Sequence, residues 1–141
     1  MDKRSFLKKK KALKDNTHYK EPSLAQIDYD SRKPIFSFYS IPYGKTYCLS
    51  QCEPNDKAEF AHKLLMISQQ QWKEIISTHR KTLGYEFIPI EEFHATSFPD
   101  IITGDVEKLI VFSYSHVGRM AGIRKDDIYH IIFVGDDLYD H

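Results

Sequence analysis

The 141-residue chain lacks the features of a membrane-spanning or secreted protein. No apolar run approaches the roughly 18 residues that a bilayer-crossing helix needs. The N-terminus is charged where a signal peptide would be apolar. Only two cysteines are present, Cys48 and Cys52, and without a secretion signal they are expected to remain reduced thiols. We therefore expect a small cytoplasmic protein.

The chain also lacks every short motif that is specific for one chemistry. It has no glycine-rich dinucleotide fingerprint, no phosphate-binding P-loop, no nucleophile elbow and no zinc motif of the HExxH type. Cys48 and Cys52 have no second Cys or His pair at matching spacing, so neither a metal nor a cofactor is predicted. Function must be inferred from the types and positions of the remaining residues.

Charge is balanced overall but unevenly distributed along the chain. Residues 1–20 carry eight Lys or Arg and two Asp, so they hold +6 and residues 21–141 hold −6. We interpret residues 1–32 as a basic, partly mobile N-terminal arm and 33–141 as a single domain. The arm contains a lysine run that either binds nucleic-acid phosphates through counterion release or is simply solvated: Lys8, Lys9, Lys10 and Lys11.

Strand patterns occur at both ends of the domain. Segments 33–41 and 45–51 flank the turn residues 42–44 and predict an N-terminal β-hairpin. Segments 108–115, 119–124 and 128–134, separated by Gly118 and by a Lys-Asp-Asp turn, predict a three-stranded antiparallel β-meander. A short strand over 86–90 is restricted to a sheet edge by its proline.

Two helices are expected between these strand regions. Asp56 with Glu59 and Ser68 with Gln71 have the spacing of capping boxes, which predicts helices over 56–66 and 69–80. The second helix places three large apolar side chains on one face, expected to be buried against the sheet: Trp72, Ile75 and Ile76. The predicted fold is α+β, with one mainly antiparallel sheet and both helices on one face.

The C-terminal third holds titratable side chains among apolar ones. Arg119 and Arg124 bracket one strand on opposite faces, and each could either hold a phosphate through its paired N–H groups or be a surface arginine near a turn. His130 could be a general acid or base, or a core histidine with one hydrogen bond. Tyr139 and His141 follow the last strand, either fixed by the sheet or in a solvated tail.

A further basic group closes the second predicted helix: His79, Arg80 and Lys81. Cations at a helix C-terminus are stabilised by the helix dipole, which explains them without a ligand. The alternative is that they join the strand arginines in one cleft that binds nucleic acid.

From Lys45 onward the layout resembles the RelE/ParE-like toxins of bacteria, with KTYCLSQ as a first strand, two helices, and a meander that carries arginines and ends in Tyr and His. This resemblance implies a bacterial or phage toxin that acts as a metal-independent endoribonuclease, on free RNA or at the ribosome, with a cognate antitoxin protein. It further implies that Arg119 and Arg124 bind the scissile phosphate and that Tyr139 or His141 transfers protons.

The leading hypothesis is therefore an endoribonuclease in which a ribose 2′-hydroxyl attacks its own phosphate. Arginines would stabilise the developing charge, and a His or Tyr would move protons. One alternative is a non-catalytic protein-binding or regulatory module that uses a sheet edge and aromatics. Another is a nucleic-acid-binding accessory protein that relies on the basic arm. An enzyme requires the arginines and a histidine in one cleft, whereas a binding module predicts scattered charges and an exposed apolar patch.

Overall fold

The computed structural model describes residues 26–78 and 83–140 of the chain. Within these ranges the fold is α+β, with two helices and one five-stranded mixed sheet of strand order β1-β5-β4-β3-β2. The strands are β1 (Ile35–Ser37), β2 (Glu86–Pro89), β3 (Lys108–Ser113), β4 (Arg119–Lys125) and β5 (Ile128–Gly135), and the helices are α1 (Pro54–Ser68) and α2 (Trp72–Thr78). Neither helix in the described ranges is long and apolar enough to cross a membrane.

The N-terminal β-hairpin predicted from the sequence is wrong. Strand β1 pairs in parallel with β5, placing Ile35 opposite Ile128. Residues 45–51, expected to be the return strand, form consecutive turns that end in a 3-10 helix over Leu49–Gln51. The N–H groups of Lys45, Cys48 and Gln51 each donate to a carbonyl three residues earlier. These local bonds use the donors that a strand ladder would need, so this part of the chain forms turns.

The C-terminal meander is present, with strand ends close to the predicted ones. Strand β3 pairs antiparallel with β4, and β4 pairs antiparallel with β5. A bulge interrupts the second pairing, because Ala121 lies opposite Phe133 while Gly122 lies opposite Ile131, leaving Ile132 as the extra residue. Strand β2 ends at Pro89 and occupies the sheet edge beside β3, where a proline removes no interior ladder bond.

The helix starts differ from the capping boxes read in the sequence. Helix α1 begins at Pro54, with Glu53 as N-cap and no side-chain capping bond. A proline is tolerated at the first helical position because its missing N–H would have no helical partner there. Asp56 therefore lies in the first turn, where its charge is favourable to the helix dipole. Helix α2 begins at Trp72 rather than at residue 69.

Apolar side chains fill both faces of the sheet. Both helices contribute their buried residues to the cluster on one face, which contains Phe60, Ile67, Trp72, Ile75, Phe112, Met120 and Tyr129 among others. The opposite face is covered by the connection between β2 and β3 and by the C-terminal residues, with Phe93, Leu109, Val111, Phe133, Leu138 and Tyr139 among its buried members. Ile76 is 42% exposed and not part of the core, so the expected burial was right for Trp72 and Ile75 and wrong for Ile76.

Residues 29–32, assigned to the arm from the sequence, contact the domain. Tyr29–Ser31 forms a 3-10 turn, and the Arg32 carbonyl accepts a hydrogen bond of 2.9 Å from the Trp72 backbone N–H. This bond satisfies one of the donors that a helix start leaves without a helical partner. The chain before β1 thus fixes the beginning of α2.

Candidate functional site

Arg124 is engaged by contacts that link three parts of the fold. Its guanidinium carbon lies 4.4 Å from the centroid of the Trp72 ring, a cation–π geometry. Its Nη2 lies 2.6 Å from Asp30 Oδ1, and its Nε donates to the Asp126 carbonyl at 2.7 Å. Strand alternation directs it to the helical face of the sheet. These contacts give Arg124 a structural role that needs no ligand.

Arg119 lies at the other end of β4 and on the opposite face. Its Nη1 donates to the backbone carbonyls of Ser115, His116 and Gly118 at 3.0, 3.2 and 2.9 Å. These carbonyls belong to the turn between β3 and β4. Arg119 therefore stabilises that turn. The three carbonyls also fix the position of the Arg119 guanidinium.

Tyr139 joins Arg119 and Glu86 in one small cluster. The Tyr139 hydroxyl donates to Glu86 Oε1 at 3.1 Å, and the ring packs against Phe93 with centroids 5.4 Å apart. Burial raises the pKa of the Tyr139 hydroxyl and the Glu86 carboxylate raises it further, while a hydrogen bond with Arg119 acts in the opposite direction. The net pKa is raised, so Tyr139 is a neutral phenol at pH 7. It can donate a proton but cannot act as a base.

His130 is remote from this cluster. It lies opposite Ile123 in the β4–β5 pair, four residues along the strand from the position of Arg119, which corresponds to about 13 Å. Burial lowers its pKa, and the nearby charge of Lys125 lowers it further. Its Nδ1 is buried and has no hydrogen-bond partner within the described part of the chain. The unpartnered Nδ1 leaves this nitrogen without the hydrogen bond that a core histidine was expected to make there.

Of the sequence-derived site residues that lie within 26–78 and 83–140, the structure brings together Arg119 and Tyr139. Arg124 lies on the opposite face and His130 lies farther along the sheet. The remaining candidates fall outside the described residues, and the structure adds nothing about them: Lys8, Lys9, Lys10, Lys11, His79, Arg80, Lys81 and His141. Across residues 26–78 and 83–140, no group of three or more His, Cys, Asp or Glu side chains is arranged to hold a metal ion.

Sequence reasoning missed an apolar groove formed by the segment that follows β1 and the turn at 48–50, with Lys57 of α1 also lining it. The groove encloses about 510 Å³ and is lined by Phe38, Tyr39, Ile41, Tyr43, Cys48, Leu49, Ser50 and Lys57. Tyr39 and Tyr43 are 95% and 87% exposed, although both are large aromatic side chains. The signal was present in the sequence FYSIPY, which holds more aromatics than a tight hairpin turn requires. We call the eight lining residues the aromatic groove.

Cys48 is 3% exposed among the residues that line this groove. Its Sγ accepts hydrogen bonds from the Ser50 backbone N–H at 3.4 Å and from the Ser50 hydroxyl at 3.1 Å. Burial raises the pKa of the Cys48 thiol, but hydrogen bonds from Ser50 and from the Gly44 backbone together outweigh burial, and the net pKa is lowered. Burial and the charge of Asp56 raise the pKa of Cys52. Both cysteines are free thiols, and Cys48 caps the Leu49–Gln51 turn.

The charge of the described residues is strongly one-sided. Of the 20 basic side chains, eight lie in residues 1–25 and two in 79–82, which leaves 10 basic against 17 acidic in the described ranges, a net charge of −7. A surface with this charge repels nucleic-acid phosphates. The net charge of the described residues therefore gives no general attraction for RNA.

Comparison with known proteins gives no match. No protein-family model fits the chain, and no characterised protein or solved structure is significantly similar to it. The features that bear on function are therefore the aromatic groove and the cluster of Arg119, Tyr139 and Glu86.

Proposed function

We propose that this protein is a non-catalytic protein-binding module of the cytoplasm and that the aromatic groove is its contact surface. The observation that carries the proposal is the exposure of Tyr39 and Tyr43 beside a groove with an apolar floor. Tyrosine is enriched at protein interfaces because its rigid ring buries a large apolar area while its hydroxyl still finds a partner. Two such rings in water, next to Phe38, have no structural role within the described fold.

The dispersion of the charged candidates supports the same proposal. Arg119 is held by its own turn, Arg124 is stacked on Trp72, and His130 lies apart from both. A binding module has no need to gather these groups, whereas the cleavage mechanism needs them around one phosphate. The partner segment would present apolar side chains to Ile41 and Leu49, and polar or backbone groups to the tyrosine hydroxyls.

The test is site-specific photocrosslinking followed by affinity measurement. A benzophenone amino acid at position 39 should form a defined crosslink in the native host, and the captured protein should then be purified and titrated against the unlabelled chain. Tyr43→Ala should weaken binding by about 30-fold, as expected for an interface hot spot. Leu65→Ala is the matched control, because Leu65 is an exposed apolar side chain of α1 outside the groove. Equal affinity of both variants would refute the groove as the contact surface.

A second candidate, the toxin-type endoribonuclease, is favoured by one observation. Arg119 and the neutral phenol of Tyr139 lie together, with Glu86 orienting the hydroxyl. This pair has the chemistry of a phosphate ligand beside a general acid for the departing 5′-oxygen, and it fits the resemblance to the RelE/ParE-like toxins. The base for the 2′-hydroxyl would come from another group, of which His141 is the candidate named from the sequence. RNA or the ribosome would be the substrate and an antitoxin the protein partner.

The nuclease proposal is tested by RNA cleavage with and without ribosomes, using variants shown to be folded. Tyr139→Phe removes the proton donor and keeps the ring, so cleavage should fall at least about 100-fold, the usual size of a general-acid contribution. Lys108→Gln, an exposed change on β3, should cleave like the wild type. Absence of cleavage by the wild-type protein under both conditions would eliminate this candidate.

The basic arm supplies the third candidate, a nucleic-acid-binding accessory protein. Removal of residues 1–20 deletes +6 of charge and should abolish salt-dependent RNA or DNA binding if the arm is responsible. Binding that survives this truncation would exclude the arm as the binding element.

A further inference from the structure

His94 connects the segment after β2 with the last residues of the described chain. Its Nδ1 lies 3.1 Å from the carbonyl oxygen of Asp137 and 3.3 Å from one of the Asp137 carboxylate oxygens. Its Nε2 lies 3.1 Å from Asp140 Oδ1. The His94 backbone N–H also donates to the Leu138 carbonyl at 2.9 Å. One residue thus contacts three of the four residues in segment 137–140.

Both ring nitrogens of His94 face oxygen atoms that can only accept hydrogen bonds. A neutral imidazole has one N–H donor, and its other nitrogen is an acceptor. Only the imidazolium form can donate to Asp137 and Asp140 at the same time. In the neutral form one of the two contacts becomes acceptor against acceptor, which is repulsive.

We propose that His94 is a proton-controlled clasp on the C-terminal segment: its doubly protonated ring ties Asp137 and Asp140 to the segment after β2, and loss of the proton loosens that tie. The clasp would act on Tyr139, which lies between the tied residues in sequence and forms an isolated β-bridge with Phe93. Tyr139 is also the residue that meets Glu86 and Arg119, so the proton on His94 would control the order of that cluster. The clasp is compatible with either proposed function, the protein-binding module or the endoribonuclease.

The electrostatic surroundings of His94 agree with this geometry. The carboxylates of Asp137 and Asp140, both in the C-terminal segment that follows β5, face the ring, while Glu91 and Glu92 precede it in its own segment. Burial opposes the charged ring, but the Asp137 carbonyl and the two carboxylates outweigh it and raise the pKa of His94 above its ordinary 6.5. The stabilisation that the charged His94 ring gives to the folded state is complete below the unfolded-state pKa of His94. It is lost as the pH rises through the raised folded-state pKa of His94.

The test is a nuclear magnetic resonance titration of the full chain. Side-chain ¹⁵N shifts of His94 report ring protonation, Tyr139 ring shifts report the C-terminal segment, and hydrogen exchange of the His94 amide reports its bond to Leu138. The Tyr139 signals should follow the His94 midpoint. Protection of the His94 amide, corrected for intrinsic exchange, should fall on deprotonation by at most about fivefold, because exposed ion pairs are weak.

Two aspartate variants make the outcome decisive. Asp140→Asn removes the charged partner of Nε2, so it should lower the His94 midpoint and reduce the response of Tyr139. Asp100→Asn, an exposed carboxylate in the connection between β2 and β3, should leave both unchanged. The proposal would be overturned if Asp140→Asn left the titration midpoint of His94 unchanged. It would also be overturned if the Tyr139 signals did not change at the His94 midpoint.

Discussion

Replacing Trp72 by alanine tests the packing of α2 on the sheet. Trp72 is fully buried, its ring meets Tyr129 edge to face with centroids 6.4 Å apart, and its indole N–H donates to the Asp127 carbonyl at 3.0 Å. Large-to-alanine changes at such sites cost about 3–5 kcal/mol. Because the indole N–H bond and the contact with Arg124 are lost too, we expect the upper end of that range.

The measurement is urea unfolding followed by far-ultraviolet circular dichroism, because the variant lacks the single tryptophan. Ile76→Ala is the control, since Ile76 lies on the same helix but is substantially exposed, and it should cost less than about 1 kcal/mol. Similar losses of unfolding free energy in the two variants would refute the assignment of the buried face.

A double-mutant cycle can separate the contact between Arg124 and Trp72 from the effect of burying Trp72. Trp72→Ala, Arg124→Met and the double variant together isolate the interaction between the two side chains. A cation–π contact at 4.4 Å should give a coupling of about 0.5–2 kcal/mol. A coupling near zero would mean that the stack on Trp72 does not hold Arg124, and that its position depends on Asp30 and the Asp126 carbonyl.

Two further expectations concern the sheet and the groove. Gly122→Ala should destabilise the fold by about 1–3 kcal/mol or prevent folding, because a Cβ there would overlap the His130 carbonyl oxygen. Gly104→Ala is the control: a Cβ there would meet open space, so the thermal unfolding midpoint should change little. Tyr39→Ala and Tyr43→Ala should each leave the unfolding free energy within about 0.5 kcal/mol of wild type, as exposed side chains do; a larger loss would show that these rings support the fold rather than a partner.

The meander was predictable because its information is local. Gly118 and the Lys125-Asp126-Asp127 turn separate apolar segments of strand length, and Asp126 adopts a positive φ of 60° as a turn residue can. Pro89 likewise marked the edge strand correctly. The hairpin prediction failed because the pairing of β1 depends on a distant part of the chain. The partner of Ile35 is Ile128, and no local pattern distinguishes a distant strand from the nearest one.

In the candidate site, too, the features that depend on nearby residues were predictable and those that depend on distant residues were not. Alternation placed Arg119 and Arg124 on opposite faces, which the sequence predicts from their spacing. The distant partners of Arg124 were not predictable, because Trp72 and Asp30 reach it only through the tertiary fold. The carbonyls that Arg119 contacts are local, one to four residues earlier in its own turn. The aromatic groove was missed because residues 38–43 were assigned to a strand and turn, whose geometry exposes no groove.

The parallel pairing of β1 with β5 has a consequence for the order of folding. Strands β3, β4 and β5 are joined by short turns, but the contact of Ile35 with Ile128 closes a loop of more than 90 residues. Long loops carry a larger closure entropy, and such contacts form late. Residues 38–43 follow β1 directly, so the aromatic groove is completed only when this last strand docks. A partner that binds the groove would therefore recognise only chains in which β1 has docked, and its binding would protect this three-residue strand from local opening.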